Sequence, residues 1–271
     1  MKWFDRLRVR HTLKRHPISR ESWNRLMREA DIFKGLSSVE RARLRELTTL
    51  FLHRKAINGA QGLVVTPEMA VAIAAQACLP ILNLGFDSYG GWVEVVVYPT
   101  AFRVNRDSTD ATGLVTRQDR VLSGESWLRG PVILSWDDVA SGLTAAHPGQ
   151  NVVIHEFAHK LDMLDGSTNG IPPLHAGMVR QEWTTAFLEA FSRLQQQASY
   201  GFPLEFNAYG ATSPAEFFAV ASEYFFTDPH TLHYLFPAVY EQLELFYGQR
   251  PVARKSSELP ASSRSVIGLS H

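Results

Sequence analysis

Asn151-Val152-Val153-Ile154-His155-Glu156-Phe157-Ala158-His159-Lys160-Leu161-Asp162-Met163-Leu164 is an apolar helical stretch with three polar groups set into it. Histidines at i and i+4 share one helix face, so both imidazoles can reach one tetrahedral Zn²⁺. Glu156, directly after the first histidine, can then reach a water on that metal. This is the H-E-x-x-H arrangement of zinc hydrolases. Val152, Val153, Ile154, Phe157, Ala158, Leu161 and Leu164 leave almost no polar face, as in a buried helix. Two histidines and a glutamate there are costly unless paired or metal-bound. The plainer alternative is a pair of hydrogen-bonded core histidines near an ordinary carboxylate. It leaves three adjacent polar groups to be satisfied separately, so the metal reading is preferred.

Working outward, the 271 residues suit one large domain or a core with an appended helical part. Hydrophobic residues make up 45%, enough for a substantial core. Lysine plus arginine and aspartate plus glutamate each number 27, and this balance argues against a dedicated nucleic-acid or anionic-membrane surface. The division expected is a basic arm over 1–19, one domain over 20–250 and a mobile tail over 251–271. The arm carries Lys2, Arg6, Arg8, Arg10, Lys14 and Arg15, and no apolar run follows it, so it does not read as a signal peptide. A frayed terminus is the simpler reading of the arm, a membrane-surface or partner-binding role the other. The apolar run from Met69 to Leu82 is too short to span a bilayer. The single cysteine, Cys78, excludes an intrachain disulfide and suits a reducing, cytoplasmic compartment.

Trp23, Leu26, Met27 and Ala30 predict a helix over 20–33. Ser37 and Glu40 form a capping-box signal for a helix running to about His53. Thr66-Pro67 starts another, which Pro80 ends. Trp92 to Tyr98 reads as a strand, and Val121–Trp127 with Val132–Trp136 as a hairpin-like pair. Residues 165–173 read as a loop; helices are predicted at about 178–197, 214–226 and 235–247. The fold class expected is α+β: a small mixed sheet, a buried helix carrying the motif, and flanking helices.

A catalytic zinc has three protein ligands and one open position. Asp165 lies ten residues after His155, the spacing of metzincin-type sites, but that geometry needs a sharp helix stop where Asp162 stands. His230 and His233 read more simply as exposed residues. Glu216, in Ser213-Pro214-Ala215-Glu216-Phe217-Phe218, is the stronger candidate. It could instead cap its own helix, since Ser213 to Glu216 is itself a capping box. Glu216 and Glu223 share one face among Phe217, Phe218, Val220, Tyr224 and Phe225, which favours a buried polar role. Tyr209 reads, on residues alone, as an ordinary half-buried tyrosine.

Three blocks carry a family resemblance: Gly130-Pro131-Val132-Ile133-Leu134-Ser135-Trp136, the segment Ile154 to Asp162, and Ala208-Tyr209 through Ser213-Pro214-Ala215-Glu216 to Ser222-Glu223-Tyr224-Phe225-Phe226. The chain resembles the Mlc titration factor A family of bacterial zinc peptidases over roughly residues 20–250. The last two blocks are also similar to the catalytic domain of anthrax lethal factor. The resemblance implies a cytoplasmic zincin-type metallopeptidase holding one Zn²⁺ on His155, His159 and Glu216. It implies Glu156 as general base and Tyr209 near the oxyanion. It further implies aminopeptidase activity on a peptide or protein substrate, and a transcriptional repressor, Mlc, as partner. A regulator-sequestering protein with a secondary peptidase site is the rival expectation. Helical proximity adds Asp162 and Glu223 as acceptors for the ligand histidines' other N–H groups. Relatives can place a histidine in the segment equivalent to Gly113-Leu114-Val115-Thr116, where it blocks the metal's open position. This chain has Thr116 there, and a neutral hydroxyl is a poor zinc ligand.

Overall fold

The computed structural model describes residues 12, 15, 17–92, 94–100, 130–201 and 203–256. Thr116, the strand expected at 121–127, most of the basic arm and residues 257–271 lie outside the described residues.

Helix α1 (Arg20–Glu29) starts where the Ser19 hydroxyl accepts from Ser22 N. The helix expected through Phe33 breaks at Ala30, and Asp31–Phe33 forms a separate 3-10 turn. Tertiary bonds account for the break: Asp31 N donates to Leu143 O at 2.8 Å, and its Oδ2 accepts from Ala145 N at 2.9 Å. Helix α2 (Ser38–Arg54) has both halves of the Ser37–Glu40 capping box and buries Leu44, Leu47, Leu50 and Phe51. Helix α3 (Pro67–Cys78) begins at the Thr66 cap with proline in its first turn, and is buried from Val71 to Cys78. It ends two residues before Pro80: Leu79 stays in the α conformation, but its N–H turns back to Gln76 O at 3.2 Å, and Pro80 has no N–H to continue the ladder.

The sheet has three described strands in the order β1 (Ala56–Gly59), β2 (Glu94–Tyr98), β3 (Val132–Ser135). Both pairs are parallel, with Ala56 opposite Glu94 and Val95 opposite Val132. The mixed sheet expected is therefore parallel among the described residues. β3 pairs with β2, and its expected hairpin partner at 121–127 lies outside them. β1 has no apolar alternation to announce it; pairing with β2 makes it a strand, and α3 supplies the crossover that a parallel pair needs.

Ser135 ends β3 because its hydroxyl caps the next helix, α4 (Trp136–Ser141). Trp136 thus belongs to the helix rather than the strand. Then come α5 (Val152–Asp162), α6 (Arg180–Ser199) and α7 (Pro214–Thr227). The helix expected at 235–247 is α9 (Pro237–Tyr247), and a further short helix, α8 (Pro229–Leu235), precedes it; each is opened by a proline in its first turn. The tail expected to lack order from 251 instead opens with α10 (Pro251–Ser256). Its Arg254 donates to Glu40 Oε1 at 3.0 Å, and Val252 N donates to Tyr240 Oη at 3.3 Å. Among the described residues no helix is long and apolar enough to cross a membrane.

Helix α5 lies against β3 and α3 on one side and α7 on the other, so the motif sits in the middle of the core. One buried cluster runs from Ile18 to Tyr247. Phe157 is fully buried, its ring 5.6 Å from Phe51, 5.0 Å from Tyr89 and 5.4 Å from Trp92. Lys55 closes this aromatic group, donating to Tyr89 O and Trp92 O with its Nζ 4.0 Å from the Trp92 ring centre. Burial, with Lys160 and Arg54 nearby, pulls the Lys55 ammonium down to about 8. Phe157→Ala is expected to cost about 3–5 kcal/mol in denaturant unfolding, because the surrounding rings cannot close on the space.

Candidate metal centre

The N-terminus of α5 fixes where the motif points. The Asn151 side chain accepts from Ile154 N at 2.9 Å, an N-cap. Its amide donates to Gln76 Oε1 at 2.7 Å and Gly142 O at 2.9 Å, which ties α5 to α3 and to the end of α4. Near the other end of α5, Lys160 Nζ donates to Gly130 O at 2.9 Å, close to the start of β3. An asparagine immediately before a helix is a sequence-level cap signal, and Asn151 could have been read that way.

His155 and His159 leave α5 on the face turned to α7. Their Nε2 atoms stand 3.2 Å apart, and Glu216 Oε2 is 3.1 Å from one and 3.2 Å from the other. His155, His159 and Glu216 are the group able to hold a metal ion among the described residues, with their ligand atoms within 4.8 Å of one another. Side-chain exposure is 13% for His155, 14% for His159 and 22% for Glu216, so a ligand can approach from one side.

The two readings of Glu216 are separable here. Ser213 Oγ accepts from Glu216 N at 3.2 Å, so the backbone is capped. The Glu216 carboxylate bonds the histidines rather than returning to the helix start, unlike Glu40, which bonds Ser37 N at 2.8 Å. The serine caps, and the glutamate is free for the site. The other candidates lie elsewhere. Asp165 is exposed and its Oδ1 accepts from Ser167 N and Oγ. His230 and His233 are exposed on α8.

Glu223, two turns along α7, holds His155 from behind. Its Oε1 is 2.8 Å from His155 Nδ1, and its Oε2 accepts from Asn151 N at 2.5 Å. A carboxylate on Nδ1 holds a proton there, so that in the neutral ring Nε2 carries the outward lone pair. Asp162 does something else: its Oδ2 accepts from Gly170 N at 2.9 Å. Gly170 has φ +76, and a Cβ there would meet Pro214 O at 2.4 Å, so only glycine lets this loop lie on the start of α7. Asp162 Oδ1 and His159 Nδ1 are both buried and without a hydrogen-bond partner.

The electrostatics describe a site that draws in positive charge. Burial opposes a charged His155, but bonds to Glu216 and Glu223 outweigh it and lift the imidazole to about 10. Burial also works against the Glu216 carboxylate, yet the two histidines hold it well below the usual range. Desolvation raises Glu156, with His155 and His159 opposing. Burial lifts Asp162 to about 6 against the Gly170 and Ile171 amides. Two imidazole nitrogens and one carboxylate oxygen, converging and electron-rich, are a donor set that zinc accepts, so the residues present fit a divalent ion.

Tyr209 stands on the 3-10 turn Ala208–Ala211, whose first amides are capped by Asn207 Oδ1 at 3.0 Å from Tyr209 N. Its ring centre is 5.8 Å from that of His155, and the residue is 50% exposed, so it reaches the open side of the group.

The chain is similar to known proteins along most of its length. The family model described as glucose-regulated metallo-peptidase M90 matches residues 3–248. A Klebsiella pneumoniae protein named Mlc titration factor A is 39% identical over 227 residues, 83% of this chain and 84% of that one. A Yersinia pestis protein of the same name is 40% identical over 224 residues, 81% of each. An uncharacterized Synechocystis protein is 38% identical over 221 residues, 81% of this chain and 80% of its own. Matched along nearly its whole length, the chain belongs to the glucose-regulated metallo-peptidase M90 family.

Proposed function

We propose that this chain is a cytoplasmic zinc peptidase of zincin-like architecture that removes residues from the N-terminal end of peptides. The observation that carries the proposal is the meeting of His155 Nε2, His159 Nε2 and Glu216 Oε2 at 3.1–3.2 Å, with Glu156 on the same helical turn. His155, His159 and Glu216 would hold the metal. Zinc, when bound, supplies a Lewis acid that polarises the scissile carbonyl and lowers the pKa of water toward ~7. Glu156 takes the proton of the attacking water and delivers it to the leaving amine. Its desolvated surroundings raise its proton affinity, as that exchange requires.

Glu223 keeps His155 in one tautomer and one orientation while anchoring the start of α5. Asp162, three residues from His159 on α5, makes no hydrogen bond to the His159 Nδ1 among the described residues and instead holds the loop through Gly170. Tyr209, on the open side, donates its phenol proton to the developing oxyanion. Tyr209→Phe is expected to lower kcat roughly 10²-fold with metal content and KM little changed. A drop in KM-dependent binding alone, with kcat intact, would place Tyr209 in substrate contact only.

The deciding experiment is metal analysis beside peptide-library cleavage. Purified protein should carry about one zinc per chain, lose cleavage on chelation and regain it with zinc. Products should differ from substrates at the N-terminus. Products cut internally would replace the aminopeptidase assignment, and metal-independent cleavage would end the peptidase reading.

The names of the relatives favour a second reading: the chain binds a transcriptional repressor of the Mlc type and keeps it from its operators. On that reading Glu156→Gln binds the purified repressor as tightly as wild type and still relieves repression in cells. Loss of both with the catalytic carboxylate would tie the regulation to hydrolysis.

A further inference from the structure

Remote from the motif in sequence, α1 and α2 diverge after the turn at 30–37 and leave a groove of about 820 Å³ between them. One face of each helix lines it. Trp23 and Met27, one turn apart on α1, are buried against the core and, with Ile18, form an apolar floor. Arg20 and Arg28 from α1, and Arg41 and Arg45 from α2, form the walls. Arg45 is held in place, donating to Ile18 O at 2.6 Å. Arg20, Arg28 and Arg41 are exposed, and none has a carboxylate within ion-pair distance among the described residues. The one acid of the lining, Glu46, lies 3.8 Å from Arg43 instead.

This positive excess is local, because the whole chain carries no net charge. The preceding residues do not neutralise it. Between positions 1 and 16 stand Lys2, Arg6, Arg8, Arg10, Lys14 and Arg15 against a single acid, Asp5. That stretch is itself basic in composition, so charge complementarity favours an acidic occupant supplied by a partner. Guanidinium forks spaced along two helices match carboxylates better than they match a single point charge. The ten residues of α1 span about 15 Å, the reach of four or five residues of extended chain.

We propose that the groove between α1 and α2 docks an extended acidic segment of a partner protein. Its carboxylates pair with Arg20, Arg28 and Arg41, and an apolar side chain rests over Trp23 and Met27. The proposal stands apart from the peptidase reading and survives that reading's failure.

The test is fluorescence anisotropy on the full chain with three labelled probes. They are an N-acetylated eight-residue peptide of glutamates and two leucines, its lysine counterpart, and a single-stranded oligonucleotide of equal charge to the first. The acidic peptide should bind and the lysine peptide should not. Arg28→Glu/Arg41→Glu should weaken the acidic peptide at least about tenfold, and raising salt from about 50 to 200 mM should weaken it too. Peptide hydrolysis and the melting temperature should be unchanged in that variant. The single changes Arg28→Gln and Arg41→Gln, each expected to weaken binding about threefold, serve if the double reversal fails to fold. Absent binding, or binding indifferent to these arginines, overturns the proposal. So does an oligonucleotide that binds through the same arginines more tightly than the peptide.

Discussion

Glu156→Gln should keep the metal and lose hydrolysis by about 10²–10⁴-fold in kcat. The reasons are separable. Glu156 contributes no atom to the converging group, which is made by His155, His159 and Glu216, so metal content should stay near one per chain. Glutamine has the same size and the same helix preference, so α5 should keep its place between β3 and α7. What the change removes is a carboxylate able to accept and return a proton. Because that step lies in the transition state, kcat and kcat/KM should fall together while KM moves little. Kinetics on a cleaved library peptide, with zinc measured on the same sample, would check this. Full activity in the variant would remove Glu156 from the mechanism while leaving the metal assignment standing.

Glu216→Ala should act on the other half of the site. The Ser213 hydroxyl still caps the amide of residue 216 after the change, and alanine is a strong helix former, so α7 should remain folded. The site loses its one proposed anionic ligand, and with it the carboxylate that stands 3.1–3.2 Å from the two Nε2 atoms. Zinc affinity should drop by more than about 100-fold, beyond what loss of an outer partner costs. Glu223→Ala is the control: it removes the support of His155 Nδ1 and should cost about 10–100-fold. Equal zinc content in wild type and Glu216→Ala would refute the ligand assignment, whatever the activity did.

The motif could be read from the chain because its three polar groups lie within five consecutive residues of one helix. Helical periodicity alone then puts the two imidazoles together. Glu216 was half legible. Its apolar neighbours argue for burial, but whether its carboxylate turns back to the Ser213 amide or out to the histidines is decided in three dimensions. Asp162 and Glu223 looked equivalent as supports for the histidines. They differ because α7 crosses α5 on the side where Glu223 reaches His155, while the loop through Gly170 folds back onto Asp162. β1 was invisible for a related reason: Ala56-Ile57-Asn58-Gly59 has no pattern of its own and borrows its conformation from β2. Where a signal is local, as in the Ser37 and Thr66 caps, the sequence sufficed; where a partner is remote, it did not.

The order of the ligands along the chain has a consequence for biosynthesis. Two of the three donors are made by residue 159, but the third arrives at 216 on a helix that runs to Thr227. A nascent or prematurely terminated chain that stops before α7 carries only a pair of imidazoles, too few to hold a catalytic ion firmly. On the proposed ligand set, a product released before α7 would lack the third donor, and hydrolysis would have to await synthesis past Glu216.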